Sequence, residues 1–203
     1  MKRTLLLCSF EPFLRWKSNS STELASHVMA LESTGTHITH MVLPVCYDRA
    51  GEMVVEKIRR EKPAIVLCMG QHGRAKNLLF ERVALNVAHS SYRDMGGVRK
   101  NDEHISPGAS PALWTTIPHV KLMACAKRQG LPLKLSFHAG TYVCNNVLYI
   151  VLHTAAREHL PVMAGFIHVP PLKTSHRGRL SRESLSSALG RVLTFLTGED
   201  ELW

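Results

Sequence analysis

Residues Ala64–Met69 form an apolar run with no polar residue at any alternate position. Preceded by Pro63 and closed by Gly70, the run reads as a strand covered on both faces, the situation of a central strand in a parallel sheet. Further short runs recur at Arg3–Ser9, His37–Val45, Leu133–Phe137 and Val162–His168. Between them the spacing turns helical. Leu24, Val28 and Leu31 share one face of Ser20–Leu31, and Val54, Val55 and Ile58 share one face of Tyr47–Lys62, which Pro63 stops. Ser20 with Glu23 three residues on fits a capping box. Thr116–Gln129, Tyr142–Glu158 and Leu180–Thr197 complete the helices, Leu78–Leu85 is strand or extended, and Asn86–Pro111 is a long Gly- and Pro-containing loop. Alternating strands and helices predict an α/β fold: three α/β/α layers around an open, largely parallel twisted sheet.

Composition narrows the class. At 203 residues, 45% apolar and 20% charged, the chain is expected to form one domain with a full core, not a disordered segment, a collagen or a coiled coil. No apolar stretch reaches the roughly 20 residues a membrane helix needs, and Glu11-Pro12 cut off the N-terminal run, which reads as a first strand rather than a signal peptide. Cys8, Cys46, Cys68, Cys125 and Cys144 are odd in number and contain no Cys-x-x-Cys, so reduced thiols and a cytoplasmic location are expected. The net charge is +9. Its densest clusters, Lys57–Lys62 and Lys173–Arg179, carry no nucleic-acid fingerprint, and the first reads as a solvated helix face.

Ligands in such sheets bind beyond the carboxyl ends of strands, which directs attention to Phe10–Asn19, Gly70–Phe80, His138–Asn145 and His168–Pro171. Dinucleotide, Walker A, zincin and Gly-x-Ser-x-Gly patterns are absent. His37 and His40 face opposite ways on a strand, so a metal has little support and none is expected. Cys144 stands out. It sits in the first turn of a helix, just after Gly140, where free N–H groups and the helix dipole favour a thiolate and could receive an oxyanion. His168, at the end of a strand, is a candidate partner, and Glu81, a carboxylate in an apolar segment, could orient the imidazole. Taken singly, each has a plainer reading: a small buried cysteine, a satisfied histidine, a salt bridge to Arg82 or another arginine.

Six segments together resemble the pyroglutamyl peptidase I (pyrrolidone-carboxylate peptidase) family: Phe10-Glu11-Pro12-Phe13, Leu43-Pro44-Val45, Gly70-Gln71-His72-Gly73, Glu81–Asn86, Ala139–Asn145 and Gly165–Pro170. The resemblance implies a cysteine exopeptidase that removes N-terminal pyroglutamyl residues through an acyl-enzyme, without a cofactor. It assigns Cys144 as nucleophile, His168 as general base and acid, and Glu81 as the orienting carboxylate. It places Phe10, Phe13, Tyr142 and Val143 around the lactam ring, with Gln71 near the lactam. It further implies pyroglutamylated peptides as partners, neither nucleic acid nor membrane, and a dimer or tetramer.

The chain departs from the family pattern in three places. Leu14-Arg15 stand where glycines usually follow Phe-Glu-Pro-Phe, and Arg74 and Ala75 follow the single Gly73. Ser91 replaces an arginine near the active site, with Arg93 two positions away. Two alternatives stay open from the residues: a thiol amidase for another small acyl group, or a catalytically weak paralogue that binds peptides or an acidic partner.

Overall fold

The computed structural model describes residues 3–14, 16–31, 38–172 and 180–198. The elements run β1 (Leu5–Phe10), α1 (Ser20–Leu31), β2 (Ile38–Leu43), α2 (Tyr47–Glu61), β3 (Ile65–Gln71), β4 (Leu78–Glu81), β5 (Val83–Leu85), β6 (Ala112–Trp114), α3 (His119–Arg128), β7 (Leu133–Ser136), α4 (Val143–Arg157), β8 (Met163–Val169) and α5 (Arg182–Thr197). Six strands form one sheet in the order β2-β1-β3-β8-β4-β7, and β5 pairs with β6 in a separate two-stranded ribbon. The β1–β2, β1–β3, β3–β8 and β4–β7 pairs are parallel; β4 meets β8 antiparallel.

Two-residue periodicity divides the core. Leu5 and Leu7 of β1, Leu67 and Met69 of β3 and Ile167 of β8 pack with Leu24, Val28, Leu122, Leu189 and Val192, which belong to α1, α3 and α5. The intervening Leu6, Cys8, Phe10, Cys68 and Phe166 pack with Tyr47, Val54, Val143, Val147 and Val151 of α2 and α4. Helices therefore cover both faces, and every residue of β1 and β3 is buried. That is the burial an unbroken apolar strand requires.

Several local expectations change. Leu78–Leu85 is two strands, broken at Arg82, and they join different sheets. The predicted helix over Thr116–Gln129 begins only at His119, behind Pro118. Ser20 is not the cap of α1: Asn19 Oδ1 accepts the Ser21 N–H at 3.0 Å, one residue earlier. The Ser20 hydroxyl is instead drawn across the chain to Gln71 Oε1 at 2.8 Å. His40 is half-buried and hydrogen-bonded to Ser9 Oγ through Nε2 at 2.8 Å, while His37 lies outside the described residues. The Lys57–Lys62 face is solvated and ion-paired, Arg59 reaching Glu158 at 2.6 Å. Lys173–Arg179 falls outside the described residues. Among these residues, no helix is long and apolar enough to cross a membrane.

The loop 86–111 is built from its own polar side chains. Asn86 donates to the Ser106 and Ala109 carbonyls and accepts the Ser106 N–H. Asp94, buried, accepts N–H groups from Tyr47, Gly96 and Val98, tying the loop to the start of α2.

Candidate active site

Strand parity decides which groups share the α2/α4 face. His168 stands two residues after Phe166 and Gly70 two after Cys68, so both turn toward α4. In the antiparallel β4–β8 pair Glu81 lies opposite Phe166, and directly opposed residues project from the same face. The antiparallel insertion of β4 therefore brings a carboxylate to His168 that a fully parallel sheet would not.

Glu81 Oε1 lies 2.7 Å from His168 Nδ1, with the two side chains 1% and 5% exposed. The plainer reading of Glu81 as a partner of Arg82 does not hold, because the Arg82 guanidinium lies over the Trp114 ring, 4.5 Å from its centroid. With Nδ1 engaged, the hydrogen bond between His168 and the Cys144 sulfur falls to Nε2. Burial opposes a charge on His168. The charge of Cys144 and its hydrogen bond, then the hydrogen bond and charge of Glu81, outweigh it and raise the imidazole from 6.5 to about 9. The imidazolium is thus the resting form at neutral pH.

Cys144 is the second residue of α4, whose N-cap residue Tyr142 makes no side-chain capping bond. The first-turn N–H groups of the helix are left without a side-chain acceptor, a ready site for developing negative charge. Because β7 runs against β8, the cysteine does not emerge from the carboxyl end of its own strand; residues 137–142 carry the chain from the β7 edge to His168. Gly140, at φ +78°, makes the turn in that connection. The end of α4 is then pinned by two buried asparagines. Asn145 exchanges hydrogen bonds with Leu85 N–H and C=O and donates to Val87 C=O, and Asn146 donates to Tyr47 C=O. Underneath, a Cβ on Gly70 would lie 2.8 Å from Cys144 Sγ and 3.0 Å from the Phe166 ring, so this position admits only glycine if the sulfur is to stay where it is.

Beside the sulfur opens a narrow cleft lined by Phe10, Phe13, Asn19, Val45, Gly70, Gln71, Tyr142, Val143 and Cys144. All five side chains expected around a substrate, Phe10, Phe13, Gln71, Tyr142 and Val143, meet here. Asn19, Val45 and Gly70 join them; the first two carry no chemistry that singles them out in the sequence. Among the described residues, no lining side chain is a carboxylate, lysine or arginine. Tyr142 braces the wall, edge-on to Tyr47 at 5.4 Å and 6.4 Å from Phe13 between ring centres. Burial, then Asp94 and Cys144, push its hydroxyl up to about 12, and it donates to the Arg93 carbonyl at 3.1 Å. Gln71 Oε1 accepts from both Ser20 N–H and Ser20 Oγ–H, which fixes the orientation of the amide. Its Nε2 is buried and, among the described residues, has no partner.

The departures are local. Leu14 is held at φ +52°, a left-handed conformation natural to glycine, and Arg15 lies outside the described residues. Arg93 does not stand in for the missing arginine: its guanidinium donates to Gly97 C=O at 2.7 Å within its own loop.

A cysteine held at a helix N-terminus against a buried imidazolium, on an α/β/α frame, defines a hydrolase of the cysteine type. Comparison with known proteins agrees. The pyroglutamyl peptidase family model matches residues 3–191. A pyrrolidone-carboxylate peptidase of Saccharolobus islandicus is 35% identical over 94% of this chain and 90% of its own, and one from Levilactobacillus brevis is 37% identical over 90% and 89%. Among solved structures, pyroglutamyl peptidase I of Bacillus amyloliquefaciens superposes with a TM-score of 0.88 at 28% identity, covering 99% of this chain and 97% of that one. The chain belongs to the pyroglutamyl peptidase family.

Proposed function

We propose that the protein removes N-terminal pyroglutamyl residues from peptides, with Cys144 as nucleophile, His168 as acid and base, and Glu81 as orienting carboxylate. The observation that carries this is the uncharged, apolar cleft opening onto Cys144. A pyroglutamyl ring is neutral and compact. An ordinary N-terminus carries an ammonium group, and burying it among Phe10, Phe13, Val45 and Val143 with no carboxylate to meet it would be costly. The cleft therefore selects against free amines.

In this reading the Cys144 thiolate attacks the carbonyl that joins the ring to the next residue. N–H groups of the first turn of α4 receive the oxyanion. The His168 imidazolium protonates the departing amine, then takes a proton from the water that releases pyroglutamate from the thioester. Glu81 keeps Nδ1–H fixed throughout, so Nε2 does the proton transfers. The unpaired Gln71 Nε2 supplies a donor for the ring carbonyl. Five free cysteines support a reducing compartment, the cytoplasm, as the protein's location.

The test is hydrolysis of a pyroglutamyl-amide chromogenic substrate beside its prolyl analogue, under reducing conditions. Cleavage of the first alone is expected, abolished by Cys144→Ser, with KM raised roughly tenfold or more by Gln71→Ala, the order of one lost buried hydrogen bond. Cleavage of the prolyl compound at a comparable rate, or activity surviving in Cys144→Ser, would overturn the reading.

A further inference from the structure

His168 touches four groups: Glu81 at Nδ1, Cys144, the Phe166 ring at 4.9 Å and, on the remaining side, the ring of His72. The two imidazoles meet edge to face, 5.2 Å between centres and 70° between planes. Of the four, His72 alone is exposed. Its place is fixed by backbone: its N–H donates to Val169 C=O at 2.9 Å, and its own carbonyl accepts Ala75 N–H at 3.0 Å. The ring thus stands on the strand-end turn directly beside the strand that carries His168.

We propose that His72 is a positioning residue for His168: its neutral ring packs the imidazole against the Cys144 sulfur, and its protonation in mildly acidic solution turns the site off. The proposal builds on the assignment of His168 as acid and base. Arg74 N–H donates to His72 Nδ1 at 3.3 Å, so the neutral ring carries its proton on Nε2. Protonating Nδ1 would set two donors against each other and would place two imidazolium rings in contact. The charged groups facing His72 are His168 on β8, Glu81 on β4 and Arg74 on its own turn. Partial desolvation of the ring, on the side that faces His168, then the charge of His168, hold His72 below the ordinary imidazole range; Glu81 pulls the other way and Arg74 adds a little to the lowering. Neutrality at physiological pH is therefore built in, and it is lost on acidification.

The experiment compares wild type with His72→Phe, which keeps a ring but cannot titrate, and His72→Ala, which removes the ring. Two readouts are followed from pH 4 to pH 9: alkylation of Cys144 by iodoacetamide, site-resolved by mass spectrometry, and pyroglutamyl-amide hydrolysis. The acid limb of the alkylation profile is expected to move down by at least about half a pH unit in His72→Phe, roughly threefold in proton concentration, because no second cation then forms to push His168 away from the sulfur. For His72→Ala, kcat is expected to fall about tenfold with KM within about twofold, the pattern of a group that positions the machinery without binding substrate. Superimposable acid limbs in wild type and His72→Phe would overturn the proposal, as would an unaltered kcat in His72→Ala. If wild type alkylates normally yet cleaves no pyroglutamyl compound, the substrate assignment falls and the alkylation limb still decides the role of His72.

Discussion

Glu81→Gln tests the orienting role most directly, because activity is expected to fall far more steeply than stability. The carboxylate is 1% exposed, its Oε1 lies 2.7 Å from His168 Nδ1, and its Oε2 is buried with no partner among the described residues. A charge-assisted hydrogen bond is worth about 1.5–3 kcal/mol and a neutral one about 0.5–1.5. The imidazolium therefore loses roughly 1–1.5 kcal/mol, or about one pKa unit. The amide can also donate to Nδ1, which would leave the proton of the neutral ring on Nε2, facing the sulfur that should surrender one. Loss of the correct tautomer costs up to about 10⁴ in rate in the Ser-His-Asp case, so kcat is expected to fall between about 10² and 10⁴. The signs on pH follow from the raised value of about 9. His168 binds its proton more tightly in the folded chain than in the unfolded one, so its stabilising contribution is complete below about 6.5 and is lost as pH rises through about 9. The same deprotonation removes the acid needed by the leaving amine, so wild-type kcat should decline above about 9, and that limb should move lower in Glu81→Gln. Stability at neutral pH should fall by roughly 1–1.5 kcal/mol, since the buried imidazolium loses its charged partner. The assays are kcat against pH on a pyroglutamyl amide and the thermal midpoint at pH 7. A kcat within twofold of wild type, or an alkaline limb that does not move, would refute the orienting role.

Two further substitutions probe the frame. Gly70→Ala puts a methyl 2.8 Å from Cys144 Sγ; a displaced sulfur on the scale of 1 Å should cost about 10² in kcat/KM, while overpacking against Phe166 costs about 1–3 kcal/mol in a denaturant melt. Leu14→Gly relieves a left-handed residue at φ +52° that is 51% exposed; with about 1–2 kcal/mol of backbone strain offset by the greater unfolded-state entropy of glycine, the thermal midpoint should rise by about 1–3 °C.

Much of this was legible along the chain. Ala64–Met69 had to be buried on both faces, because nothing in it is polar enough to meet water. The helical spacing of Val54, Val55 and Ile58 likewise gave α2 its inner face. Cys144 could be placed in the first turn of α4 because Gly140 marks the turn before it. Other features were not legible. The reversal of β4 and β7 leaves no local trace, since a strand's composition does not encode the direction of its neighbour. The break at Arg82 was hidden because Leu78–Leu85 is apolar on both sides of Glu81-Arg82 and carries no Gly or Pro to mark where one strand ends. The cap of α1 moved to Asn19 because Ser20 had a stronger distant partner in Gln71.

The sequence alone determined the alternation of strands and helices, the burial of the central strands, and the presence of a cysteine, a histidine and a carboxylate suited to thiol hydrolysis. Tertiary structure decided that they meet. Glu81 reaches His168 across 87 residues only through an antiparallel register. Phe10, Phe13 and Gln71 share one cleft because parallel β1 and β3 end at the same edge, and Tyr142 joins them only because residues 137–142 carry the chain there. His72 acquires a neighbour in His168 that no spacing in the sequence discloses. Local pattern fixes what each segment can bury, whereas contact between distant side chains depends on strand order and direction, which the assembled sheet alone specifies.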